Sequence, residues 1–240
     1  MNTTLATQAV VFDLFHTLVT PEAVHANAYL RTSRMAAALR LDAADFERWW
    51  VDSKDERNRA RSPTVADRIA QYCTRIGRPR TVGDVEAALF AADRYHDVAI
   101  QFPPSEVLGA LAQLRKRKLQ VGILSNADEH EVRAWPDSPI ARLVDAASIS
   151  VDSGLVKPEP AAYRGILAAL GGVSPSATMY VGDGESGELV AAKQLGFQPV
   201  VFMRGFVTGN GFQTPANIQQ LSTQADHTID RIDETLQYLR

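Results

Sequence analysis

The stretch AVVFDLFHTLV, running from Ala9 to Val19, reads as a strand that delivers a carboxylate. Ala9–Phe15 is apolar at every position except Asp13, as in a strand buried on both faces of a parallel sheet. Four more short apolar runs follow it: Val121–Leu124, Ala146–Ile149, Thr178–Val181 and Pro199–Met203. Helical patterns lie between them. In Ser105–Lys118 the apolar Val107, Leu108, Leu111 and Leu114 share a face. Ser105 stands where an N-cap belongs, and the cations Arg115 to Lys118 crowd the C-terminal end. Ala161–Leu170 and Glu188–Leu195 read the same way, each followed by Gly. Strand and helix in alternation predict an α/β protein with a doubly wound parallel sheet.

One segment interrupts the alternation. From Val19 to Phe102 no strand is legible, and the helical patterns Val24–Leu39, Phe46–Ala60, Val65–Ile76 and Val85–Tyr95 take over. Breaks fall near Ser62-Pro63 and Gly77-Arg78-Pro79, and Pro103-Pro104 closes the module. The expected division is a core of residues 1–18 and 103–240 with an all-helical insert at 19–102. Ligands of open α/β sheets bind at the carboxyl ends of the strands. A module inserted after the first strand is placed to lie over that edge as a lid.

Composition narrows the function classes. The chain has 240 residues, 45% of them apolar, enough for an ample core without disulfide or structural zinc. Its 25 basic and 28 acidic side chains leave a net charge of −3, which removes the broad basic surface of a nucleic-acid binder. A single cysteine, Cys73, excludes an intrachain disulfide and a cysteine-rich metal site. The start, MNTTLATQ, lacks the basic residues and apolar run of a signal peptide, so the Asn2-Thr3-Thr4 sequon is expected to be idle. No run approaches the ~18 apolar residues of a membrane span. The expectation is a cytoplasmic protein, monomer or homodimer, with no membrane partner.

Four loops follow four of the strands and bring chemistry with them: Asp13-Leu14-Phe15-His16-Thr17, Ser125-Asn126, Lys157-Pro158 and Gly182-Asp183-Gly184-Glu185-Ser186-Gly187-Glu188. In a parallel sheet all four converge on one edge. A carboxylate, a hydroxyl, an ammonium and an acidic cluster there supply a nucleophile, anion holders and a metal seat. Singly, each has a plainer reading as a turn, cap or loop residue. Gly182-x-Gly184-x-x-Gly187 also matches the dinucleotide fingerprint. Asp183 and Glu185 would set negative charge against a pyrophosphate, however, and no acidic residue follows at the ribose-binding distance.

The order and context of the four loops, with the helical insert after strand one, resemble the haloacid dehalogenase-like hydrolase superfamily. The motifs read FDLFHTLV, ILSNADEHE, GLVKPEPAAY and YVGDGESGELVAAKQLGF. The resemblance implies a Rossmann-like core with a mobile helical cap. It implies Asp13 as nucleophile, forming an aspartyl-phosphate, with Thr17 supporting its loop. Ser125 and Lys157 would bind the transferring group. Mg²⁺ would be held by Asp13, Asp183 and the main-chain carbonyl of Phe15. Phe15, His16 and Asn126 complete the expected contacts with a small anionic substrate.

Two positions depart from the family's phosphatases. Where they carry a second Asp, which protonates the leaving alkoxide, this chain has Phe15. Loss of a general acid costs about 10²–10⁴-fold. Three readings stay open: a Mg²⁺-dependent phosphomonoesterase with an easy leaving group or with His16 as proton shuttle; a 2-haloacid dehalogenase, whose halide needs no proton; or a weakly active or non-catalytic metabolite-binding domain. The second departure is Glu188 where the family has Asp. Glu188 then either joins the metal ligands or orients Lys157.

Arg31, Arg34, Arg57 and Arg59 are candidates for a substrate-facing cation, against a plainer reading as solvated helix faces. The cluster Lys54, Arg57, Arg59 and Arg61 reads likewise. Of the adjacent Trp49 and Trp50, separated by about 100° on a helix, one is expected in the core. His25, His96, His130 and His227 show no metal-ligand spacing.

Overall fold

The computed structural model describes residues 6–205 and 214–240; the Asn2-Thr3-Thr4 sequon lies outside them. Six strands form one parallel sheet in the order β3-β2-β1-β4-β5-β6. They are β1 Ala9–Phe12, β2 Gln120–Ser125, β3 Ala146–Ile149, β4 Thr178–Gly182, β5 Val200–Met203 and β6 His227–Ile229. β1 lies at the centre, with Val10 opposite Val121 on one side and Met179 on the other. Its alternation splits the core in two. Val10 and Phe12 pack with Val107, Leu111 and Leu114 of helix Ser105–Lys116, while Ala9 and Val11 join Ile166, Tyr180 and Leu189 on the opposite face. Helices on both faces explain why the strands read as continuous apolar runs.

β1 stops at Phe12, three residues before the apolar pattern does, because Asp13 starts a tight turn in which His16 adopts φ 58°. β6 was not legible: its three residues, His-Thr-Ile, carry no apolar run. Ser105 is the first residue of its helix, and Pro104 stands at the N-cap.

The insert is helical throughout, with boundaries set by caps. The expected helix Val24–Leu39 is broken into Pro21–Val24, a 3-10 turn Ala28–Leu30 and Arg31–Ala38, since His25 is extended. Ser53 splits the second pattern into Ala43–Asp52 and Lys54–Arg59, its hydroxyl donating to the Trp49 carbonyl at 2.8 Å. Capping boxes Thr64/Asp67 and Thr81/Asp84 start helices Val65–Arg75 and Val82–Gln101. Met35, Phe46, Ile69, Cys73 and Leu89 give the insert a core of its own. Among the described residues, no helix is long and apolar enough to cross a membrane.

Candidate active site

Asp13 emerges from the middle of the sheet with its N–H bonded to the Val181 carbonyl at 2.9 Å. The chain then curls: the amides of Leu18 and Val19 both reach back to the Leu14 carbonyl, and that of His16 to Val19. This turn buries Thr17, whose hydroxyl donates to Asp13 Oδ2 at 3.3 Å, and leaves Phe15 and His16 on the wall of a cavity of about 460 Å³.

Lys157 closes the opposite side. Its Nζ donates to Asp13 Oδ1 and to Glu188 Oε2, at 2.5 Å each. Its main chain is clamped by Asn126, which accepts from the Lys157 N–H at 2.8 Å and donates to the Lys157 carbonyl at 2.9 Å. Asn126 lines the cavity as expected, but both ends of its amide are engaged by this backbone. Ser125 ends β2, with its Oγ buried beside the same cavity.

The glycines of the fourth loop serve Glu188. A Cβ on Gly182 would collide with the Glu188 carboxylate, and Gly184, at φ +88°, donates its N–H to Glu188 Oε1 at 3.1 Å. Tyr180 donates its hydroxyl to Glu188 Oε2 at 2.8 Å. The ligand oxygens of Asp13, Asp183 and Glu188 all lie within 4.8 Å of one another. His16, Asp183 and Glu185 form a second trio of that size, but Glu185 is tied to Lys54 at 2.6 Å.

Burial and crowding set the charges. Burial works against the Lys157 ammonium, but Asp13 and Glu188 hold it charged well above its usual range. Burial, then Asp13 and Glu185, push the Asp183 carboxyl up to about 6. Burial also raises Glu188, with Asp13 and Asp183 adding to it against the pull of Lys157. At His16, burial is outweighed by Glu22, whose Oε2 lies 3.0 Å from Nε2, and by Asp183 and Glu185, so the imidazole rises to about 9.

The haloacid dehalogenase-like hydrolase family matches residues 7–196. This chain belongs to that family. Solved structures of the same fold include the HAD phosphatase from Thermococcus onnurineus, at 18% identity and TM-score 0.62 over 96% of this chain and 97% of that one. The L-2-haloacid dehalogenase from Xanthobacter autotrophicus with chloropropionic acid covalently bound is similar at 21% identity and TM-score 0.60, over 96% and 97%. YfnB from Bacillus subtilis, solved bound to magnesium, is similar at 14% identity and TM-score 0.61, over 97% and 98%. At these identities the likeness is one of fold, and the proteins that share it include both a phosphatase and a haloacid dehalogenase.

The insert of this hydrolase corrects the reading of its arginines. Arg57 is 3% exposed, with its guanidinium 3.6 Å above the Trp50 ring. Arg31 is buried too, bonded to Asp93, to Asp128 and to Glu131. Helical periodicity treats a cation as surface, whereas these two meet carboxylates from distant parts of the sequence. Lys54, Arg59 and Arg61 reach the core, pairing at 2.6 Å with Glu185, Glu159 and Asp152. Arg34 turns back onto main-chain carbonyls of its own module. Trp50 is the buried tryptophan and lines the cavity, while Trp49 stacks on Tyr72.

Sequence reasoning missed four cavity residues: Glu22, Asn58, His96 and Glu131. The ring of His96 lies edge-on to Phe15 at 5.4 Å, and burial, reinforced by Arg31, presses its pKa down to about 4. Glu22, Asn58 and His96 sit in none of the four motifs and are brought to the site by tertiary packing; Glu131 ends the motif ILSNADEHE, where sequence reasoning assigned it no role.

Proposed function

We propose that this hydrolase cleaves a phosphomonoester of a small anionic metabolite with Mg²⁺, through an aspartyl-phosphate on Asp13. The observation that carries the reading is the trio Asp13, Asp183 and Glu188, with ligand oxygens within 4.8 Å. Glu22 and Glu185 add two more carboxylates at this end of the cavity, where Lys54, Lys157 and His16 pair with acidic groups. An anionic substrate meets repulsion there unless a hard divalent cation is held. Mg²⁺ favours oxygen ligands from one or two carboxylates plus substrate phosphate, and this donor set fits it.

Asp13, Asp183 and the Phe15 carbonyl would hold the ion. Glu188, with its oxygens engaged by Gly184, Lys157 and Tyr180, keeps Lys157 in place. When bound, Mg²⁺ supplies charge neutralisation at the phosphoryl oxygens. Lys157 and Ser125 bind those oxygens, and Thr17 orients Asp13. A carboxylate oxygen of Asp13 bonds to phosphorus as the ester P–O bond breaks; water then splits the acyl phosphate, releasing phosphate and restoring the carboxylate. Residues 19–102 act as a cap over the core formed by 1–18 and 103–240, excluding bulk water. Phe15 transfers no proton, so leaving groups that need little protonation are favoured. His16, held as an imidazolium on the cavity wall, is the proton-bearing group on that loop.

One observation favours a second reading, hydrolysis of a small 2-haloacid: Phe15 lines the cavity two residues after Asp13, and halide leaves without a proton. The test is phosphate release from a panel of sugar, nucleotide, acyl and aryl phosphates, beside halide release from 2-haloacids, with and without Mg²⁺. Mg²⁺-dependent phosphate release abolished by Asp13→Asn is expected. Metal-independent halide release alone would overturn the phosphatase reading.

A further inference from the structure

An alkoxide needs a proton to leave phosphorus, and among the described residues no histidine or acid lining the cavity is turned to give one. Phe15, two residues after Asp13, has no proton to transfer. His16 turns both ring nitrogens to carboxylates, Nε2 to Glu22 at 3.0 Å and Nδ1 toward Asp183 at 3.8 Å. His96 carries no acidic proton at neutral pH, since burial and Arg31 press its pKa down to about 4. Glu131 has both oxygens engaged, one by Arg31 Nη1 and the other by the Asp128 N–H. Against burial, His16 holds Glu22 ionised and Lys54 holds Glu185 so.

The surroundings of Phe15 are largely carbon. His96 stands edge-on to its ring at 5.4 Å. Helix Pro21–Val24, whose Pro21 lines the cavity, packs against the helix that carries His96. Val51 also lines the cavity and is 63% exposed, an apolar surface left open for a ligand to cover. Clefts for small molecules use such apolar and aromatic walls to cover the body of the ligand.

A leaving group placed here has to carry its electron pair away unprotonated and to cover carbon surface. A phenol titrates at about 10, as the Tyr hydroxyl does, whereas an alkyl alcohol resembles water at about 16. The phenolate is therefore the better anion by about six units. Its ring also suits an aromatic wall, because aromatic pairs favour offset or edge-on contacts at centroid separations of about 4.5–7 Å.

We infer that the substrate is an aryl phosphate, a single phenolic ring esterified with phosphate, whose ring lies against Phe15 where a proton donor would otherwise stand. This rests on the reading above, in which Asp13 takes the phosphoryl group. A carboxylate oxygen of Asp13 bonds to phosphorus as the P–O bond to the ring oxygen breaks. The electron pair departs on the phenolate, which takes a proton from water after release, and a second water splits the acyl phosphate.

Phenyl phosphate and cyclohexyl phosphate carry rings of similar size on leaving oxygens of different basicity. With Mg²⁺, the wild-type kcat/KM is expected to be about 10²-fold or more higher for phenyl phosphate. Across para-substituted phenyl phosphates it should fall steadily as the phenol becomes more basic. Phe15→Asp, which restores a carboxyl, should narrow the gap between the two rings about tenfold or more. The wall is tested with phenylphosphonate, which is not hydrolysed, titrated by calorimetry into the wild-type protein with Mg²⁺. It is expected to bind about tenfold more tightly than methylphosphonate. Rates within about threefold for the two rings, a flat para-substituted series, or equal affinities for the two phosphonates would each overturn the aryl assignment, and all three use the wild-type protein alone. A folded Phe15→Asp protein with an unchanged gap would overturn it too. Cyclohexyl phosphate turned over as fast as phenyl phosphate leaves the phosphatase reading standing. No Mg²⁺-dependent phosphate release from any phosphomonoester removes that reading and this one with it.

Discussion

Glu188 Oε2 lies 2.5 Å from Lys157 Nζ, and the same ammonium lies 2.5 Å from Asp13 Oδ1, so the last carboxylate of the fourth loop sets the position of the cation beside the proposed nucleophile. Glu188→Gln tests this economically. The carboxylate accepts from Gly184 N–H on one oxygen and from Lys157 and Tyr180 on the other. A Gln amide has one acceptor oxygen, so whichever way it turns, a donor faces a donor. A charge-assisted hydrogen bond of this kind contributes about 1.5–3 kcal/mol. If Lys157 shifts accordingly, kcat/KM should fall about ten- to a hundredfold with the fold retained. Wild-type kcat/KM in a folded Glu188→Gln protein would show that Lys157 needs no such support.

Beside the buried bonds of Arg31 to Asp128 and Glu131, the insert meets the core through three more exposed pairs at 2.6 Å: Lys54 to Glu185, Arg59 to Glu159 and Arg61 to Asp152. Most of these side chains are well exposed, so each pair contributes only about 0–1 kcal/mol and is screened by salt. They therefore suit a contact that opens and closes better than one that fixes the fold. Amide exchange in helix Lys54–Arg59 should quicken in about 1 M salt, where the Debye length is about 3 Å. A variant with all three cations changed to Gln should exchange quickly at any ionic strength, with little loss of thermal stability. Exchange that ignores both salt and the substitutions would mean that the buried Arg31 pairs with Asp128 and Glu131, together with apolar packing, hold the insert down.

The sheet was legible because β1 and β5 are buried on both faces and write that fact as unbroken apolar runs, with the mostly apolar, fully buried β4 between turn signals. The loops that follow the strands were legible as a set, since a parallel sheet gathers them at one edge. The insert's contribution to the site was not. Arg31 depends on Asp93 and Asp128, 62 and 97 residues away, and no periodicity reports a pairing across such a gap. His96 lies within a helix whose pattern marks only core and surface, and its approach to Phe15 follows from how that helix docks on the β1 loop. Asn126 was legible as a cavity residue, but its bonds to the Lys157 backbone depend on two loops meeting in space.

Glu131 gives the cavity a pH-dependent stability whose sign can be worked out. Burial, then the charge of Asp128, push its carboxyl from 4.5 up to about 7 despite Arg31. Between those values the folded protein keeps a proton that the unfolded chain releases, so this contribution is full below about 4.5 and is lost as pH rises through 7. His96 works in the opposite sense: pressed from 6.5 to about 4, it costs stability as pH falls across that range. The two overlap, so the wild-type curve alone does not separate them. Glu131→Gln does, because it is neutral at every pH and keeps an oxygen that can accept from the Asp128 N–H or from Arg31. In urea unfolding the variant should match the wild type near pH 5 and exceed it by about 1–3 kcal/mol near pH 8. A variant less stable than wild type at both would show that the ion pair with Arg31 outweighs burial, and that Glu131 stays ionised across the range.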